Sequence, residues 1–370
     1  MKNLEINKED LKSNIQIIKE INNKTVDDNG NPPAIIAVVK GNGMGLGLVE
    51  FTQFLIENGI DYFAVATIEE ALELRNAKIE NKILMLSSTS ITEEIEKLVE
   101  NDIILTIGSK ESAEKINEIA EKLNKKVNVH LKIDTGFGRY GFIYTKPYEI
   151  IETLKKLEYI QIEGTFTHFS KSYDEKWTNI QFNRFLDVVA ELKKNEINPG
   201  ILHVCNSTAF LNYENMHLNA VRLGSVFQGR VLSKEKFGLK KIGTFKSNVV
   251  EIKDLPAGFN ISYSNMYKTK KETKVAVIPV GNMDGYNVIR AQDSFSFKDK
   301  IISILVECKN LFRDKRLYVY INNKKYYVLG KVGMYHITVD ITNSDVKIGD
   351  EVTLEIPPIL TSAKVRREYI

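Results

Sequence analysis

Apolar residues recur along the first two-thirds of the chain in two patterns that take turns. Residues 8–21 carry Leu11, Ile15, Ile18 and Ile21 at helical spacing, and a Gly-Asn-Pro-Pro stretch at 30–33 ends that stripe. Residues 34–40 then run apolar without a break into Lys40, as expected of a strand buried on both faces of a parallel sheet. A helix is predicted over 48–58, with Phe51, Phe54 and Leu55 facing inward. The alternation continues with strands at 62–67, 83–86, 103–107, 127–133 and 160–167. Each is followed by an amphipathic helix, at 68–77, 93–100, 111–123, 148–157 and 180–194. Segments 202–205 and 220–223 complete eight strands. Eight such units in about 230 residues predict a (β/α)8 TIM-type barrel rather than an open sheet.

Past residue 235 the pattern changes. Segments 275–280, 301–306, 316–321, 325–329, 336–340 and 351–355 alternate or run apolar at strand length, and Asn322-Asn323 reads as a hairpin turn. No helical stripe stands out. The sequence therefore predicts a barrel domain at 1–235 and a separate all-β domain at 236–370.

A barrel of this kind carries its site at the C-terminal ends of its strands. Those positions hold Lys40 after the first strand, and Lys132, Asp134 and Arg139 after the fifth. His168 follows the sixth, Asn206 and Ser207 the seventh, Arg222 and Gly224 the eighth. A mouth lined by lysines, arginines, a histidine and small hydroxyl or glycine residues suits a phosphorylated cofactor and a carboxylate substrate. Lys40 ends a buried strand beneath a loop with glycines at 41, 43, 45 and 47. Desolvation there lowers an amine's pKa and makes it nucleophilic, as a lysine forming a Schiff base with an aldehyde cofactor requires. The same lysine serves equally as a solvated cap on the strand. The loop lacks the Gly-Lys-Ser/Thr of a P-loop, and Leu46 and Leu48 break a dinucleotide-type glycine pattern.

Bulk composition narrows the classes. The 370 residues are 43% hydrophobic and 27% charged, with a net charge of +3 from 51 basic and 48 acidic residues. That near-balance gives no reason to expect nucleic acid or an anionic membrane as partner. The segment Met1-Lys2-Asn3-Leu4-Glu5 has no apolar signal core, and no run reaches transmembrane length, so a cytoplasmic protein is expected. Cys205 and Cys308 have no paired spacing and imply neither a disulfide nor a metal site.

Several motifs, taken in order, resemble the bacterial alanine racemase family. They are Val38-Val39-Lys40, Lys132-Ile133-Asp134-Thr135-Gly136-Phe137-Gly138-Arg139, Gly164-Thr165-Phe166-Thr167-His168, Asn206-Ser207, Val221-Arg222-Leu223-Gly224, Ile261-Ser262-Tyr263, Asp284-Gly285-Tyr286 and Gly333-Met334. The resemblance spans essentially the whole chain. It implies a homodimeric, pyridoxal 5′-phosphate-dependent racemase that interconverts L- and D-alanine and so supplies D-alanine for cell-wall peptidoglycan. Lys40 and Tyr263 would act as bases on opposite faces of the substrate. Arg222 would face the pyridine nitrogen, with His168 beside it. Asn206, Ser207, Gly224, Ser225 and Tyr369 would bind the cofactor, the last four as its phosphate cradle. Arg139 would meet the phenolic oxygen and the substrate carboxylate, and the backbone of Met334 would meet that carboxylate too. Lys132 matches a lysine often found carbamylated. Tyr263 and Met334 would reach the partner subunit's barrel, so each site would be shared.

Departures from the family pattern bear on substrate choice. Met44 and Leu46 replace a tyrosine and a histidine, Asn282 a tyrosine, and Tyr335 an aspartate. Tyr173 replaces an acidic residue, and Leu223 and Arg366 replace prolines. Racemisation of another amino acid such as serine therefore stays open. A pyridoxal-phosphate decarboxylase or aldolase would carry an acidic group where Arg222 stands, and a single-domain cofactor carrier would lack Tyr263.

Overall fold

The computed structural model describes residues 2–288, 297–311 and 316–370. It divides into two compact units, one of Asn7–Ile242 and one of Met1–Ile6 with Gly243–Ile370.

The larger unit is the barrel. Its strands are β1 (Ala34–Val38), β2 (Tyr62–Val65), β3 (Lys82–Met85), β4 (Leu105–Ile107), β5 (Val127–Asp134), β6 (Ile160–Phe166), β7 (Ile201–His203) and β8 (Ala220–Leu223). They run in the order β3-β2-β1-β8-β7-β6-β5-β4, all parallel. A single bridge between Leu84 and Ile104 joins β3 to β4 and brings the sheet round. Strands covered on both faces are largely apolar, and Tyr62–Val65 is buried at every position. Ile36, Tyr62, Ala64, Leu84, Ile104 and Ala220 pack together as one core cluster. Each outer helix buries one stripe. In the helix Leu48–Glu57 this is Leu48, Phe51, Thr52 and Leu55, and Phe51 meets Phe227 edge-on. Fully burying one such side chain contributes about 1.5–3 kcal/mol.

The smaller unit is built on a nine-stranded sheet. Its order is Glu251–Leu255, Thr273–Ile278, Ile337–Asp340, Lys324–Leu329, Tyr318–Ile321, Glu351–Leu354, Thr244–Asn248, Asn3–Ile6 and Arg366–Tyr369. Asn322 and Asn323 both take positive φ (49° and 63°) and link two of these strands as the expected hairpin turn.

Two expectations need correction. The division at 235/236 is displaced at both ends. Asn3–Ile6 is a strand of the β unit, antiparallel to Thr244–Asn248 and parallel to Arg366–Tyr369. Residues 236–242 stay with the barrel unit, where the Asn14 side chain both donates to and accepts from the Lys240 backbone at 2.8 Å. Segment 301–306, expected as a strand, lies within a helix, Phe297–Leu311. A short apolar run fits either state by periodicity alone. Here Phe297, Ile301, Ile304, Leu305 and Cys308 fall on one side of the helix, with Lys298, Asp299, Lys300, Glu307 and Lys309 off that side together with Ile302 and Val306.

Candidate active site

β1 delivers Lys40 into a backbone that turns the wrong way for L-residues. Gly41, Asn42, Gly43 and Met44 all have positive φ (68°, 55°, 64° and 55°), one left-handed turn. Glycine adopts this freely, whereas Asn42 and Met44 each cost about 1–2 kcal/mol there. Space favours glycine at 43 as well: a Cβ would sit tightly, 3.2 Å from Leu48 N and Phe51 Cβ. Local bonds hold the turn closed. Gly45 N–H donates to Gly41 O (2.9 Å), Leu48 N–H to Asn42 Oδ1 (3.0 Å), and Gln228 Nε2 to Met44 O (2.6 Å). The Glu70 carboxylate adds three more, accepting from Gly41 N (2.5 Å), Asn42 N (3.3 Å) and Ala66 N (3.2 Å).

Lys40, Lys132, Arg139, His168, Asn206, Ser207, Arg222, Gly224 and Ser225 line one cavity of about 450 Å³ at the C-terminal ends of the strands. Among the described residues, no carboxylate lines it. Burial, then Arg139, lowers the Lys40 pKa against a smaller opposing pull from Glu70. Burial and the same arginine bring Lys132 down to about 7. Its Nζ lies 5.1 Å from the Tyr140 ring centre and 5.4 Å from that of Phe166.

Asp134 does not join this set. Its carboxylate turns back into its own loop and accepts from the amides of Gly136, Phe137 and Gly138 (2.8 Å each) and Arg139 (3.2 Å). Those bonds hold its pKa down despite partial burial. Asp134 therefore shapes the loop that presents Arg139.

Arg222 is 3% exposed. Nη1 donates to His203 O (2.7 Å) and His203 Nδ1 (2.8 Å), and Nη2 to Thr167 O (2.6 Å). His168 Nδ1 lies 3.5 Å from Nη2. Burial, with Arg222 next, pushes the His168 pKa well below the ordinary imidazole range, so it is neutral at pH 7. Ser207 Oγ accepts from the amides of Gly224 (3.0 Å) and Val226 (3.3 Å), and Asn206 Oδ1 caps the helix Ser207–Asn212.

Tyr263, Met334 and Tyr369 belong to the β unit. Tyr263 is 68% exposed on a turn where Ser262, Ser264 and Asn265 all have positive φ. Met334 is also exposed, and its carbonyl accepts from Met283 N (3.0 Å). Tyr369 ends the last strand, in register with Ile6.

Sequence reasoning passed over Glu70, Tyr62, His130 and His203. Glu70 stood in a Thr-x-x-Glu pattern that reads as a helix cap, and Thr67 does cap that helix. The other three looked like core positions.

Parallel strands that close into a barrel, with two lysines and two arginines gathered where the strands end, define an enzyme built for a small anionic ligand. The family model described as alanine racemase, N-terminal domain, matches residues 6–230, and that of the C-terminal domain matches 242–362. The alanine racemase of Methanococcus maripaludis is 36% identical over 358 residues, 95% of this chain and 87% of that one. The solved alanine racemase of Clostridium difficile 630 superposes with a TM-score of 0.81 at 33% identity, covering 99% of this chain and 88% of that one. That of Bacillus anthracis with bound L-Ala-P gives 0.78 at 27% identity, over 95% and 85%. The chain belongs to the alanine racemase family, a family of isomerases.

Proposed function

We propose that this protein is a cytoplasmic, homodimeric alanine racemase that uses pyridoxal 5′-phosphate and supplies D-alanine for peptidoglycan. The observation that carries the reading is the charge of the cavity: four basic side chains face it with no carboxylate among its described lining residues. A doubly charged phosphate and an amino-acid carboxylate are the ligands such a site favours. The donor set fits the cofactor. Lys40 offers an amine of lowered pKa, Ser207 offers a hydroxyl hydrogen while its oxygen is held by the Gly224 amide, and a side chain at Gly224 would fill space between Val38 and Met44.

When bound, the cofactor spreads negative charge from the substrate's α-carbon over its ring and so makes the α-proton removable. Lys40 would hold the cofactor, Ser207, Gly224, Ser225 and Tyr369 its phosphate, with Asn206 alongside, and Arg139 its phenolic oxygen. Arg222 is assigned to the ring nitrogen. A guanidinium keeps its protons, so it donates there and leaves that nitrogen unprotonated. This weakens the ring as an electron sink and disfavours transamination. Neutral His168 stands beside it as an acceptor for the same guanidinium.

Racemisation moves one proton off one face of the α-carbon and another onto the opposite face. Lys40, whose amine gives up its proton more readily because it is desolvated and near Arg139, serves one face. The partner subunit's Tyr263 serves the other. The carboxylate is held by Arg139 and by the partner subunit's Met334 backbone. Carbamylation would turn Lys132 into an anion able to orient Arg139.

The test is solvent-deuterium exchange into L- and D-alanine by the cofactor-loaded protein, read by mass and chirality. Label entering both enantiomers with inversion is the expected result. No exchange from either would end the reading.

A further inference from the structure

The barrel interior holds a chain of polar side chains that the proposed mechanism leaves unused. Beneath Arg222, His203 Nε2 lies 2.7 Å from His130 Nδ1, and His130 Nε2 lies 3.0 Å from Tyr62 Oη. Both imidazoles are fully buried and Tyr62 nearly so. The chain is built in. A Cβ at Gly164 would stand 2.7 Å from His130 Cε1, so only glycine leaves room for that ring. His203 stacks on Phe166 at 4.9 Å and 9°.

One end fixes every bond in this chain. Arginine only donates. His203 Nδ1 must therefore accept from Arg222 Nη1, which puts the His203 hydrogen on Nε2. His130 Nδ1 must then accept, its hydrogen is on Nε2, and Tyr62 Oη receives it. Both rings are neutral with one defined tautomer. A chain with an obligate donor at its head passes no proton upward, so it acts as a clamp and not as a relay.

We infer that Tyr62 and His130 are positioning residues that act on Arg222 through His203, fixing the direction in which the guanidinium donates at the cofactor ring. This rests on the assignment of Arg222 to the ring nitrogen.

The chain contains five histidines. Labelled with 15N-histidine, it is suited to solid-state spectra of the apo and holo forms, assigned with His130→Gln and His203→Gln. His130 and His203 should both be neutral Nε2–H tautomers between about pH 6 and 8. A charged ring, or Nδ1–H at either residue, overturns the proposal. Tyr62→Phe removes a single oxygen. It should bind cofactor normally, lower kcat about three- to tenfold with KM for alanine unchanged, and displace the visible band of the holoprotein. Unaltered kcat and spectrum overturn the proposal, as does a loss of kcat that only follows loss of cofactor. If the cofactor reading itself fails, no visible band forms in the wild type, while the apoprotein spectra still decide the tautomers.

Discussion

The Glu70 carboxylate holds the amide of Gly41, 2.5 Å from its Oε1, one residue beyond Lys40. The contact links the helix after β2 to the left-handed turn after β1. It does two separable things. It fixes the turn geometrically, and its charge raises the Lys40 pKa against the lowering by burial and Arg139.

Glu70→Gln keeps an acceptor but removes the charge. The Lys40 pKa should then fall further, so the amine becomes neutral at lower pH. The pH midpoint for cofactor uptake by the apoprotein is expected to move in the acid direction. Glu70→Ala also strips three amides of their acceptor and should cost about 2–4 kcal/mol of stability in denaturant titration. An unmoved midpoint in the glutamine variant would show that Glu70 acts through geometry alone.

Lys40 and Tyr263 are proposed to serve one site from different chains. Borohydride treatment of the holoprotein, followed by peptide mapping, should place the cofactor on Lys40 and on no other lysine. Lys40→Ala and Tyr263→Phe should each be inactive as homodimers. Mixed and reassociated, they should regain part of the activity, because one site in each heterodimer has both groups. Heterodimers seen by native mass spectrometry without activity would point to sites formed within one chain.

Lys132, with a pKa of about 7, is substantially neutral just above pH 7, and only a neutral amine takes up carbon dioxide. Intact mass spectra recorded with bicarbonate above pH 7 should show one added carbon dioxide, absent in Lys132→Arg. The adduct should disappear, and KM for alanine rise, as the pH drops well below 7. A constant mass across that range would leave Lys132 as a plain lysine packed against Tyr140 and Phe166.

Substrate choice should be looser than in a typical family member. Asn282 puts a short amide where the family has a phenol, and Tyr335 puts a half-exposed phenol in place of a carboxylate. Alanine is the expected best substrate, and serine the expected second, because apolar pockets reject an added hydroxyl by only about a hundredfold. The measurement is kcat/KM for alanine, serine, lysine and ornithine at saturating cofactor. An alanine preference above about a thousandfold would mean that other residues compensate for these changes.

The barrel was legible because each of its strands is a short apolar run and each helix a stripe. The runs overshoot the strands by a residue or two where Lys40, Thr167 and Cys205 have already left the sheet. The β unit was read less well. Asn3–Ile6, Thr244–Asn248, Glu251–Leu255 and Arg366–Tyr369 are short and expose alternate or most positions to water, so charged residues mask them. For the site, residues at strand ends could be listed from order alone, and the structure gathers Lys40, Lys132, Arg139, His168, Asn206, Ser207, Arg222, Gly224 and Ser225 around one cavity. Glu70 and His130 were invisible because their partners lie 29 and 73 residues away and meet only when the barrel closes.

The strand Asn3–Ile6 has a consequence for synthesis. It leaves the ribosome before all of Asn7–Ile242, yet its neighbours are Thr244–Asn248 and Arg366–Tyr369. All of Asn7–Ile242 can be translated and compacted while this strand waits unpaired. Its Asn-Leu-Glu-Ile sequence, with an amide before the first apolar residue and a charged group between the two, suits that wait, since a short polar edge resists pairing with the wrong chain. The β unit is thus completed only once Arg366–Tyr369 has been made, and a chain stopped between Ile242 and that strand is a barrel unit followed by an unfinished sheet.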